Sequence, residues 1–391
     1  MSIKLTMGKA VLAAPLAALA IAGCGSSSST TTAKQPATNT PTTTANAAAT
    51  SAAPFLAGLK TVSNVGPTVP ANGDINPYGI VQLPTTVGKL TAGDLLISNF
   101  NDKANNQGTG TTIVEVSPTG KLSLFAKIDP HKLPGPLPGG VGLTTALSVL
   151  PGGYVVVGSL PTTNGKSATA KYGGLIVLDS TGKPISTITG PNLQGPWDMA
   201  SSTQGNITNL FVSNALNGGA VKGKSTINNS TVLRIRIQSG PGQAPKVLGQ
   251  TVIANKIPWR DDPAALVIGP TGVALGSNGT LYVADTLDNR IAAIPQALTR
   301  TTPAADAGKT LSVRGKLKQP LGLTLAPNGD ILTTNGGDGN MVETTPAGKQ
   351  LIARTADEKT GAGSLFGFVV SSTQNGVYFV DDGDNTLKLL H

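Results

Sequence analysis

From Phe55 onward, one arrangement of apolar and polar positions returns six times. It opens with Pro-x-Gly-apolar, crosses a polar turn, and runs into a strand of alternating or continuous apolar residues. The clearest copy is Pro270-Thr271-Gly272-Val273, then Ser277-Asn278-Gly279, then Leu281-Tyr282-Val283-Ala284-Asp285. The next is Pro320-Leu321-Gly322-Leu323, then Pro327-Asn328-Gly329-Asp330, then Ile331-Leu332-Thr333-Thr334-Asn335. Other copies open at Pro77-Tyr78-Gly79-Ile80, Gly140-Val141-Gly142-Leu143, Pro196-Trp197-Asp198-Met199 and Leu365-Phe366-Gly367-Phe368. The central residues, Gly79, Gly142, Asp198, Gly272, Gly322 and Gly367, lie about 58 residues apart on average, so the repeat carries loop insertions.

Each unit continues into a third strand: 113–116, 175–178, 232–237, 290–294, 341–345 and 387–390. Gly120-Lys121, Gly182-Lys183 and Gly348-Lys349 mark hairpin turns after three of them, where glycine supplies positive φ. Four short antiparallel strands per unit, six times over, predict an all-β, six-bladed β-propeller. The last unit ends on its third strand at His391, and a strand-like piece, Leu59–Val65, precedes the first unit. That piece is expected to be the outer strand of the last blade, which closes the ring and removes an open edge.

Residues 269–294 and 319–345 resemble NHL repeats, and the other units are degenerate copies. Several six-bladed propellers of this look are enzymes. Gluconolactonase-like members hold a divalent cation in the central channel, with ligands at the position just before the Gly-apolar signal. In this chain that position reads Tyr78, Val141, Trp197, Thr271, Leu321 and Phe366, none a carboxylate or an amide. Amidating lyases of the same fold class bind zinc through histidines, and this chain has only His131 and His391. His131 lies in a Pro-rich loop with no nucleophile motif beside it, so a Ser/His/Asp triad is not expected. Tyr78, Trp197 and Phe366 instead place rings at equivalent positions of three units. They either line a ligand cup at the channel mouth or fill space between blades.

Paired Asx residues recur after the second strand: Asn99/Asp102, Asn214/Asn217, Asp285/Asp288, Asn335/Asp338 and Asp381/Asp384. Short Asx side chains bond to backbone N–H groups and organise turns. The other reading is a calcium or other divalent cation on clustered oxygens, for which Asp381, Asp382 and Asp384 are the richest stretch. Residues 218–225 match the spacing GxxxxGK[ST], but turn residues and a strand follow where a phosphate loop needs a helix.

Composition adds the address. Only 13% of residues are charged and 49 are glycine, which excludes a helical bundle, and one cysteine excludes a disulfide scaffold. Residues 1–23 read as a secretory signal, with Lys4 and Lys9 before a short apolar run. Ile21-Ala22-Gly23-Cys24 resembles the bacterial lipobox, which implies lipidation (palmitate-type acylation) of Cys24 and a place in the bacterial cell envelope. Gly25, where aspartate favours inner-membrane retention, leans the anchor toward the outer membrane. Residues 24–54 are rich in Ser, Thr, Ala and Pro and read as a disordered tether, with the propeller over 55–391. The net charge of +9 falls by two with the signal and is thinly spread, so nucleic acid is not an expected partner.

The resulting expectation is a lipid-anchored propeller acting as a non-catalytic binding or scaffold module, with a protein, glycan or small molecule as partner. The alternative is a metal-dependent hydrolase or lactonase of the gluconolactonase-like type. Radiolabelled fatty acid is expected on the wild-type chain and not on Cys24→Ser. Label retained by the variant would overturn the lipobox reading.

Overall fold

The computed structural model describes residues 53–218, 225–263, 265–356, 358 and 361–391. The signal, Cys24 and the tether up to residue 52 lie outside the described residues. Six sheets, antiparallel apart from a short parallel pairing of Ala254-Asn255 with Ala304-Ala305, follow one another along the chain, and all but the second begin with the strand that carries the Pro-x-Gly-apolar signal.

Blade 1 is Ile75–Gln82, Leu95–Asn101, Thr112–Val116 and Leu122–Lys127. Blade 2 is Leu143–Leu150, Tyr154–Ser159, Gly174–Leu178 and Pro184–Ile188. Blade 3 is Gly195–Gln204, Ile207–Leu216, Ile227–Gly240 and the long Gln243–Asp262, which turns back into Leu266–Ile268. Blade 4 is Pro270–Leu275, Leu281–Asp285, Arg290–Ile294 and Lys309–Val313. Blade 5 is Pro320–Leu325, Ile331–Asn335, Asn340–Thr344 and Gln350–Thr355. Blade 6 is Leu365–Val370, Val377–Asp381 and Thr386–Leu390, completed by Val62–Pro67.

The expected closure is present, shifted a little along the chain. Val62 pairs with Leu390 and Pro67 with Thr386, so the strand before the first blade is hydrogen-bonded to the last strand. A one-turn helix, Phe55–Gly58, leads in, and the Glu343 carboxylate accepts the N–H groups of Phe55 and Leu56 at 2.8 Å each. Leu56 and Leu59 are fully buried against blades 5 and 6.

Apolar mass is distributed in wedges between consecutive blades. One cluster joins Leu96 and Ile113 of blade 1 to Val155 and Ile176 of blade 2, and the other five repeat this between each next pair. Because both faces of each sheet meet a neighbour, the second and third strands are buried along nearly their whole length, and apolar except where a polar residue finds a partner. Leu95–Asn101 and Gly174–Leu178, for example, are buried at every residue. The low charge of the chain follows, since little of these strands reaches water. The turn glycines behave as their positions require, with φ of 87° at Gly120, 84° at Gly182 and 91° at Gly348.

The phosphate-loop spacing has no structural counterpart. Residues 219–224 lie outside the described residues, but 225–226 form no regular element and Ile227–Gly240 is strand, so no helix follows the Lys-Ser pair.

A chain beginning at residue 68 would expose the edge of Thr386–Leu390 and remove Leu56 and Leu59 from their cluster. It is expected to melt well below the wild type and to self-associate with rising concentration in sedimentation. A monomeric truncation with an unchanged melting temperature would show that closure contributes little.

Candidate functional site

The inner strands converge on the propeller axis at one position. In blades 1, 3 and 5 a hydroxyl on the second strand sets that position by a relay. The Gly79 N–H donates to Ser98 Oγ at 3.0 Å, and Ser98 Oγ donates to the Thr144 carbonyl of blade 2 at 2.8 Å. The Asp198 N–H donates to Ser213 Oγ at 3.1 Å, which donates to the Thr271 carbonyl of blade 4 at 2.5 Å. The Gly322 N–H donates to Thr334 Oγ1 at 2.9 Å, which donates to the Phe366 carbonyl of blade 6 at 3.2 Å. Each relay fastens an odd blade to the even blade that follows.

These bonds correct the sequence register in blade 2. Thr144, not Val141, is the residue equivalent to Thr271 and Phe366. Between Leu143 and Leu147 the strand carries one more residue than the bulges of the other blades, which displaces the motif. Gly142 instead lies against the Gly108 backbone, where a Cβ would sit 2.4 Å from a carbonyl oxygen.

The six residues around the axis are therefore Tyr78, Thr144, Trp197, Thr271, Leu321 and Phe366. The structure brings the three predicted rings together, but as a plug and not an open cup. Tyr78 stacks on Phe366 with centroids 3.9 Å apart and on Phe100 at 4.5 Å. Trp197 lies 6.4 Å from Tyr78 and 6.3 Å from Phe366. Their exposures are 2%, 2% and 1%, so they offer a ligand almost no surface. The return of blade 3, Ala265–Ile268, and the fully buried Trp259 pack on the same cluster. Burial, then the nearby Asp382 carboxylate, holds the Tyr78 phenol well above its ordinary range. This insertion was not legible in the sequence, because nothing local distinguishes a strand that extends over an axis from one that stays at a rim.

In the turns, the carboxylates of Asp102, Asp338 and Asp381 accept the N–H groups of Ala104, Asn340 and Gly383, as expected of Asx residues, while the first asparagines serve a role the sequence did not suggest. The Asn99, Asn214 and Asn335 amides donate to the carbonyls of Thr68, Asn192 and Lys316, in the loops that enter their own blades. Blades 4 and 6 place aspartate there, each with a buried cation. Arg290 lies 2.8 Å from Asp285, and Lys388 lies 2.9 Å from Asp381. Lys388 is also 2.6 Å from Asp384, so its ammonium sits among the carboxylates suggested for a cation. Asp382 lies near enough to Tyr78 to act on its phenol, and burial with its neighbour Asp381 pushes its own carboxyl up to about 7. Among the described residues no group of three or more His, Cys, Asp and Glu is placed to hold a metal ion. The ring of axial residues and the Lys388-filled cluster thus do not fit the divalent ion of a gluconolactonase-like channel. His131 is exposed in a turn, and His391 Nε2 lies 2.9 Å from Ser63 Oγ at the closing strand, so neither histidine approaches the axis.

On the other side of the plug the channel is open. A cavity of about 650 Å³ runs along the later halves of the inner strands toward exposed Ser201, Ser277 and Leu298. Its wall is apolar and hydroxylic, with Leu147, Met199, Leu323, Phe368, Thr145 and Ser148 among its members. It holds one ionisable side chain, Asp198, where blades 1, 4, 5 and 6 have glycine. At Gly272, Gly322 and Gly367 a Cβ would lie 2.2–2.3 Å from the next blade's backbone. Asp198 crosses the same step by side chain: Oδ2 accepts the Val273 N–H of blade 4 at 3.2 Å and Oδ1 its neighbour's, Met199 N–H, at 2.8 Å. Burial pushes its carboxyl up to about 7, against the lowering effect of those two donors.

No protein-family model matches the chain, and no curated protein matches it. Solved structures do. A gluconolactonase from Xanthomonas campestris is 12% identical at a TM-score of 0.51, over 85% of this chain and 95% of its own. A luciferin-regenerating enzyme is 11% identical at a TM-score of 0.51, over 84% and 94%. A protein assigned as a gluconolactonase is 16% identical at a TM-score of 0.50, over 86% and 95%. The likeness is one of fold: this chain is a six-bladed β-propeller, as those structures are.

Trp197→Ala removes the largest part of the plug. It is expected to cost about 3–5 kcal/mol in denaturant unfolding, as large buried aromatic truncations do. A cost near zero would mean that the ring does not fill space.

Proposed function

We propose that this protein is an exported, lipid-anchored propeller that binds a small molecule in its central channel without a resident divalent ion. The observation that carries the reading is the channel itself. It is closed at one end by Tyr78, Trp197 and Phe366, open at the other, and about 650 Å³ in volume. That size lies within the range of ligand sites, and the wall mixes apolar side chains with hydroxyls and one carboxylate able to orient a guest. The NHL-like character of residues 269–294 and 319–345 and the lipobox at Cys24 support a recognition module of the bacterial envelope, leaning to the outer membrane. Among the described residues no helix is long and apolar enough to cross a membrane.

A second reading is favoured by the fold likeness, which by itself leans toward lactonase chemistry more than toward a scaffold without a ligand. The axial residues speak against its metal-dependent form: a ring of Tyr, Thr, Trp, Thr, Leu and Phe supplies two hydroxyls and a phenol, where hard cations take six or more oxygens.

Elemental analysis of the purified protein, paired with a lactone-opening assay with and without chelator, separates the two. The expected result is no stoichiometric divalent metal and no chelator-sensitive turnover. One equivalent of metal with hydrolysis abolished by chelation would establish the lactonase and overturn the metal-free binding reading.

A further inference from the structure

Resting on the reading of the channel as a binding site, we propose that its ligand is a small organic cation, an amine with an apolar body, whose ammonium seats on Asp198. The first argument is isolation. The inner strands that surround Asp198 contribute Ile80 and Val81 from blade 1, Thr145, Leu147 and Ser148 from blade 2, and only uncharged residues from blades 4, 5 and 6. No other titratable side chain among the described residues lines the cavity, so no lysine, arginine or histidine neutralises the carboxylate there.

The second argument is the unused bonding capacity of the group. Each oxygen accepts a single backbone N–H, from Met199 and from Val273, and a carboxylate has about four acceptor sites. A charged donor arriving from the channel meets free lone pairs on a half-buried carboxylate, where water screens less than at an open surface. That is the setting in which a charge-assisted hydrogen bond is strongest.

The third argument is exclusion. An anion entering this channel would meet a like charge and no compensating donor. A divalent metal would find one carboxylate where it needs a shell of several oxygens. A neutral apolar molecule would leave the carboxylate buried against carbon, which is costly unless it takes a proton. An ammonium on a hydrocarbon or aryl body satisfies the acid and the wall together, with Leu147, Leu323 and Phe368 for the body. Blade 3 also departs from the glycine that blades 1, 4, 5 and 6 have here, at a step that glycine serves by direct backbone approach.

The test is calorimetric titration of the full chain with three probes of matched size: phenethylamine, 2-phenylethanol and 3-phenylpropionate. At pH 8 the amine is expected to bind at least about tenfold tighter than the alcohol, and the carboxylate not measurably. Its cation must meet an ionised Asp198, whose carboxyl titrates at about 7. Amine affinity is therefore expected to fall about 30-fold from pH 8 to pH 5.5 while the alcohol stays constant. Asp198→Asn is expected to abolish the amine preference and its pH dependence. If that variant does not fold, the wild-type pH comparison decides alone.

Equal binding of amine and alcohol at pH 8 would overturn the cation while leaving the channel as a site. Binding of none of the three would overturn the channel reading as well. Thr324→Trp, which places an indole in the cavity, is expected to eliminate binding, and amine binding retained there would place the site elsewhere.

Discussion

Everything in this propeller depends on how closely six inner strands approach one axis. At that radius the backbones of adjacent blades touch, and a side chain at the contact point would intrude on a neighbour's peptide. Gly322 faces the Phe366 carbonyl, and Gly367 faces that of Tyr78, with room for a hydrogen and not for a methyl. Once this spacing is set, the wedges between blades fill with continuous apolar strands, and the ring must close, because an open circle would leave one wedge half covered. The strand Val62–Pro67 and the helix Phe55–Gly58 complete the circle from the other end of the chain.

The spacing also explains the polar residues that the strands do bury. Hydroxyls at Ser98, Ser213 and Thr334 each accept from their own blade and donate to the next, so a buried O–H is satisfied on both sides. Each is followed by an asparagine that ties down the entry loop. Even blades use another solution, with Gly158-Ser159, Ala284-Asp285 and Val380-Asp381 at the same place. Both acids, Asp285 and Asp381, take buried cations, Arg290 and Lys388, and in such pairs the desolvation of one charge is offset only while its partner remains. The molecule is thus built with an approximate threefold alternation laid over its six blades.

That alternation was present in the sequence as Ser-Asn, Ser-Asn and Thr-Asn in blades 1, 3 and 5, and it offers a signal for pairing blades that the Pro-x-Gly motif alone does not. The register of blade 2 shows the reverse case. Gly140-Val141-Gly142-Leu143 looks like a motif, yet the axis is met by Thr144, because the extra residue of the bulge is absorbed within the strand. A local pattern cannot report a slip that only the neighbouring blade's hydroxyl reveals. The rings were a similar case: their equivalence was legible, whereas their closure into a plug involves Trp259 and Ala265–Ile268, which pack on them from the end of blade 3.

The sequence by itself determined the repeat number, the strand order within each unit, the turn glycines and the strand that closes the ring. Each of these is dictated by local periodicity, by φ preference or by the need to cover a sheet edge. Only the tertiary structure decided which end of the channel is shut, that Lys388 sits among the acids of blade 6, and that Asp198 stands alone in an uncharged cavity. Those features arise where side chains from blades far apart in the chain converge on one axis, and a one-dimensional pattern carries no information about such meetings.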